Sequence, residues 1–224
     1  MVESPVLPDY QQVLMAVAQS AQTRSADRPT PNQVIEALIA AEKATKHQHR
    51  TYTPDELIGQ WRLYFATGVR KRQQGGITLG RGFYLPGFVQ AQIGFDRAEG
   101  FVAGDVQNSE DSNTHPPAQP LDETLDPAHL QIRNQLRVGL FRLGFLGPAR
   151  YRSPKNLLAF DFTQIQFDFL TTALYHGKFR RGKTQTPFEQ RPIAQLPFFS
   201  FFLVTDQMIA ARGRGGGLAI WTKA

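Results

Sequence analysis

The chain has 224 residues, no cysteine, a formal net charge of +6 and a pI near 9.8. A single core of this size buries roughly 70% of the surface that its unfolded form exposes, so neither disulfide nor metal is needed to fold it. The missing cysteines exclude thiolate zinc sites, cysteine nucleophiles and redox chemistry at sulfur.

No apolar run approaches the 18 or so residues needed to span a bilayer, and the longest cluster, Leu196 to Val204, is interrupted by Pro197 and Ser200. The first residues carry Glu3 and Asp9 without a basic start or an apolar stretch, so no signal or transit peptide is expected. The expectation is an intracellular protein, peripheral to membranes and not integral to them.

Residues 1–53 read as a helical segment. Leu14, Val17 and Ala21 recur at spacings of three and four, which predicts an amphipathic helix over Asp9 to Gln22. Thr30-Pro31 reads as an N-cap followed by proline at the first helical position, and Val34, Leu38 and Ala41 carry a second helix to about Thr45. His47 and His49 follow in a polar connector beside Arg50, which suits solvent; no metal site and no cofactor are expected.

After Pro54 the period changes from helical to alternating, and residues 54–224 read as one mainly β unit, an antiparallel barrel. Trp61, Leu63 and Phe65 alternate with Gln60, Arg62 and Tyr64, as when one strand face lines an interior. Phe88 to Phe95 is a second strand after Pro86-Gly87. Residues 105–127 combine acids, Asn, Ser and four prolines and read as a flexible insertion. Leu130, Ile132, Leu136, Val138 and Leu140 then share one face opposite Gln131, Arg133, Gln135 and Arg137. Leu157 to Tyr175 is too long for one strand, and its aromatic residues change parity, which predicts a bulge or bend near Thr163. Strands over Phe198 to Val204, Met208 to Ala211 and Leu218 to Thr222 close the chain. A glycine-rich turn, Arg212 to Gly217, joins the last two.

Charge is segregated along the sequence. Asp96 to Asp126 holds eight acids against Arg97 alone, whereas Pro127 onward holds fourteen Lys or Arg against four acids. A basic face of that kind attracts an anionic membrane surface, nucleic acid or an acidic partner. Lys178, Arg180, Arg181 and Lys183 cluster around Gly177 and Gly182 and read as a loop able to meet an anionic leaflet.

No phosphate loop, nucleophile elbow, His-Glu-x-x-His or paired-cysteine motif is present, and the expectation is a protein that is not an enzyme. Gly59-x-Trp61 opens the first strand and Arg212 ends the penultimate one. In a closed barrel the arginine is expected to lie over the Trp61 ring and close the base, with Gly59 beside it. An apolar ligand would then enter a calyx lined by Trp61, Leu63, Phe65, Val138, Leu140, Phe162 and Phe201. The competing reading is a barrel filled by its own phenylalanines.

Two blocks, Leu57-Ile58-Gly59-Gln60-Trp61-Arg62-Leu63-Tyr64 and Phe198 to Lys223, resemble the plastid lipid-associated protein family, the fibrillins, and the helices before the first strand fit that likeness. The resemblance implies a lipocalin-like barrel, in a cyanobacterial relative, sitting peripherally on thylakoids or lipid globules. It also implies binding or exchange of lipids, quinones, carotenoids or fatty acyl chains. Gln207 stands where an acid is common in the family. The non-carrier alternative is a structural coat on such surfaces. Nucleic acid is not an expected partner; single-stranded binding through Arg212, Arg214, Phe199 and Phe201 is the rival from another class. Oligomeric state is not legible.

Overall fold

The computed structural model describes residues 8–71, 77–98, 128–170, 172–178 and 186–224. Helix α1 (Asp9–Thr23) and helix α2 (Pro31–His47) stand where the apolar spacing predicts them. At the start of α2, Gln33 N–H donates to Thr30 Oγ1 and Thr30 N–H donates to Gln33 Oε1, so two backbone donors are satisfied reciprocally ahead of Pro31. Arg24 ends α1 in the left-handed region, at φ 53°, and turns the chain back.

Eleven strands follow among the described residues: β1 (Gly59–Lys71), β2 (Ile77–Tyr84), β3 (Val89–Arg97), β4 (Ala128–Val138), β5 (Phe141–Arg152), β6 (Leu157–Phe160), β7 (Gln164–Phe169), β8 (Thr172–Lys178), β9 (Phe198–Val204), β10 (Met208–Gly213) and β11 (Leu218–Lys223). Eight of them close an antiparallel, lipocalin-like barrel, each pairing with the next barrel strand in the chain: β1, β3, β4, β5, β6, β9, β10, β11 and back to β1. Closure leaves no free edge in the wall.

The three remaining strands extend that wall. The lower half of β1, Gly59 to Arg62, pairs with β3, and its upper half, Phe65 to Lys71, pairs with β2. In the same way β5 gives Ala149 to Arg152 to β6 and Phe141 to Leu146 to β7, which carries β8. The bend expected near Thr163 is the break between β6 and β7. It brings the chain so close to β5 that a Cβ on Gly147 would overlap the Asp161 carbonyl.

Two apolar layers share the sheet. The inner one fills the barrel with Trp61, Ile93, Phe95, Ile132, Leu158, Phe201, Ile209 and Trp221. The outer one places Phe65, Phe202, Met208, Ala210, Leu218 and Ile220 under Leu14, Val17, Val34 and Leu38 of the helices. Burying a Val, Leu or Phe side chain contributes about 1.5–3 kcal/mol, so this second layer holds the helices down.

Two bulges decide which residues belong to which layer. Leu63 pairs with Trp221 but Phe65 pairs with Ile220, so Tyr64 is an extra residue and strand parity flips after Leu63. Phe202 plays the same part in β9, between Phe201 inside and Leu203 outside. The insertion at 105–127 and the cations Arg180, Arg181 and Lys183 lie outside the described residues.

Candidate functional site

The base of the barrel is plugged. Tyr52 and Leu57, on the segment entering β1, are buried beneath Trp61, whose Nε1 donates to the Leu57 carbonyl at 2.8 Å. Lys223, not Arg212, supplies the cation over the Trp61 ring, 4.2 Å from its centroid. The register explains the correction. Trp61 stands opposite Lys223 at one end of β11, whereas Arg212 stands opposite Leu218 at the other end.

Arg212 also points outward. Its Nε donates to Glu42 Oε1 and Oε2 at 3.0 and 3.1 Å, and its guanidinium reaches the Gly216 carbonyl at 2.6 Å. It therefore ties α2 to the closing hairpin. Burial alone would raise the Glu42 carboxyl, but hydrogen bonds from Arg212 and Lys46 outweigh it and hold it below the usual carboxylate range. Gly59 has φ 127°, and an added Cβ would lie 2.7 Å from Lys223 Nζ, so glycine is required where the chain enters the barrel under that lysine.

The expected calyx residues other than Phe162 divide into three groups. Trp61, Leu63 and Phe201 do face the interior, but Trp61 is 1% and Phe201 2% exposed, which leaves no water-sized space against either ring. Phe65 lies on the outer layer, turned there by the bulge at Tyr64. Val138 and Leu140 stand at the far end of the β4–β5 hairpin, 41% and 54% exposed, because β4 runs on past the barrel rim. The lower barrel is filled by its own side chains; it is not an empty cup.

Phe162 marks where the interior comes out. Ring contacts lead from Trp221 to Phe199 (5.4 Å), Phe160 (5.1 Å), Phe162 (5.2 Å) and Phe145 (5.4 Å). Phe145 belongs to a sheet face that the register continues upward. Leu136 and Val138 of β4 stand opposite Leu143 and Phe141 of β5, which in turn oppose Phe167 and Phe169 of β7. Phe141 stacks near Phe167 and Phe169, at 6.0 and 5.0 Å. Beyond Phe145 nothing among the described residues covers this face, and Phe141 and Tyr175 are each half exposed.

Three turns end on one edge of this extension. The pairings Val89 with Val138, Val138 with Phe141, and Phe141 with Phe169 align the turns after β2, β4 and β7. Each turn presents a large apolar residue to solvent: Phe88 (72% exposed), Leu140 (54%) and Leu170 (53%).

The opposite face is polar and basic. Arg137 and Arg142 stand directly across from each other, one residue pair behind the edge. Arg142 lies 3.9 Å from Asp168, which also accepts two hydrogen bonds from Gln166 Nε2; no ion pair joins Arg137 to an acid among the described residues. Like charges directly opposite in a sheet repel unless an anion lies near.

Of the basic cluster read from sequence, Lys178 is described and exposed. It ends β8 opposite Gln164, some six residues or roughly 20 Å from the apolar turns. The rival nucleic-acid reading loses its stacking faces, since Phe201 is buried and Phe199 packs inside the barrel, while Arg214 donates to the Leu196 carbonyl.

No helix among the described residues is long and apolar enough to cross a membrane, and no group of three or more potential metal-ligating side chains occurs among them. Compared with known proteins, the chain matches no protein-family profile and no curated protein sequence.

Proposed function

We propose that this protein docks, without catalysis, on an anionic lipid surface through the edge carrying Phe88, Leu140 and Leu170. Apolar molecules or acyl chains would lie along the open aromatic face of β4, β5 and β7. The observation that carries the reading is the alignment of three solvent-exposed apolar turns on one edge, with the Arg137–Arg142 pair immediately behind them. Apolar side chains at the tip gain by leaving water, and two cations at headgroup depth gain by meeting phosphates.

The packed lower barrel favours this surface over an internal carrier site. The likeness of two sequence blocks to fibrillins supports the same reading and extends it to the periphery of thylakoids or lipid globules.

The test is co-sedimentation with phosphatidylglycerol and phosphatidylcholine vesicles. Wild type is expected to bind the anionic vesicles in a salt-sensitive way. The triple variant Phe88→Ser/Leu140→Ser/Leu170→Ser should lose roughly tenfold in partitioning for each side chain that enters the lipid. Arg137→Gln/Arg142→Gln should weaken binding and flatten its salt dependence. Unchanged binding by the triple variant would remove the proposal; dimerisation through this edge in place of vesicle binding would assign it to a second copy.

A further inference from the structure

A second site lies on the helix-bearing side of the barrel, and it does not depend on the docking edge. A cavity of about 470 Å³ opens between the α1–α2 connector and the outer wall. It forms where β1 exchanges β3 for β2 as its neighbour, so that the wall has a seam at Leu63–Tyr64. The connector is held over the seam because Tyr84 donates to the Pro29 carbonyl at 2.7 Å and Arg28 lies 4.0 Å over the Tyr84 ring.

Three arginines line this space: Arg24 and Arg28 from the connector, and Arg62 from β1. Ser25, Thr222 and Gln90 add polar groups, and no carboxylate lines it. Among the described residues, no ion pair engages Arg24, Arg28 or Arg62. Arg62 faces outward between Thr222 and Gln92, so its position is set by the barrel wall and not by a mobile tail.

Like charges gathered in one concavity repel, and a bound anion turns that repulsion into attraction. Guanidinium forks match phosphate oxygens with paired N–H donors, which makes phosphate the anion best suited to three of them. The volume falls within the range of about 300–1,000 Å³ usual for small-molecule sites, larger than inorganic phosphate fills. Leu85 borders the same space and would meet carbon. We infer that the cavity binds a phosphate ester, its phosphate held by Arg24, Arg28 and Arg62 and its carbon portion against Leu85.

That chemistry is shared by a free phosphorylated metabolite and a phospholipid headgroup. Isothermal titration of the full chain with glycerol 3-phosphate, and separately with monomeric dihexanoyl phosphatidylglycerol, distinguishes them. Saturable binding of either probe is expected, weakened roughly tenfold or more by Arg62→Gln and by Arg24→Gln. Binding of the lipid alone assigns a headgroup; binding of glycerol 3-phosphate at equal or higher affinity assigns a soluble ester.

Ala26→Glu, which keeps every arginine and places a carboxylate at the cavity lining, should abolish binding, with unchanged thermal unfolding showing that the fold is intact. The inference is overturned if neither probe saturates below about 10 mM, or if all three folded variants bind like wild type.

Discussion

Arg212 shows how far a single side chain's role depends on its neighbours. At the end of an apolar strand near a glycine turn it suggests a cation above a barrel tryptophan, yet its guanidinium is spent on Glu42 of α2, 170 positions away in sequence. Glu42 carries no local mark of that role, because an acid one turn before Lys46 reads as an ordinary helix pair. With Glu42 largely buried and Arg212 partly exposed, Arg212→Gln is expected to cost about 1–3 kcal/mol in a denaturant titration. Because the folded state holds the Glu42 carboxyl below its usual value, its stabilising effect is full above the ordinary carboxylate range. It is lost as pH falls through the depressed value. The stability gap between wild type and Glu42→Gln should therefore close in acid, and a gap independent of pH would contradict the pairing.

At the scale of elements, the helices and the strands β3, β4, β9, β10 and β11 were legible because each carries its own local signal. Thr30-Pro31 starts a helix, and simple alternation marks Leu130 to Val138. β5 was not legible. Gly144, Gly147 and Pro148 interrupt its alternation, and proline in a strand normally argues against one. Gly147 is there because β6 and β7 cross against it, a contact made only in three dimensions. Gly147→Ala should accordingly destabilise by more than about 2 kcal/mol through overpacking. Gly144→Ala, whose new Cβ would meet Gln166 Cβ at 3.8 Å, should stay within about 0.5 kcal/mol in the same denaturant series. Equal effects at the two positions would refute the crossing. The bulges at Tyr64 and Phe202 were hidden for a related reason. Both interrupt runs of aromatic and aliphatic residues in which every position looks fit for an interior, so sequence cannot say which one the partner strand will skip.

For the whole molecule, an antiparallel barrel with two leading helices was recoverable from the change of period at Pro54, but the site was only half so. Interior residues such as Trp61 and Phe201 were assigned to the right face, where packing leaves them no room for a ligand. The surface that remains available comes from two long strands, β4 and β5, outrunning the barrel and taking β7 and β8 with them. No local pattern announces that overhang; it follows from the register between strands, which sets Phe88, Leu140 and Leu170 along one edge. Native cysteine is absent, so a single environment-sensitive fluorophore can be attached at will. The most direct measurement is the emission of such a label at positions 88, 140 and 170, with Lys155 at the opposite end of β5 as reference, on addition of phosphatidylglycerol vesicles carrying brominated acyl chains. A blue shift with quenching at 88, 140 and 170 and none at 155 is the expected result. Vesicle binding with all four labels still in water would contradict insertion of this edge.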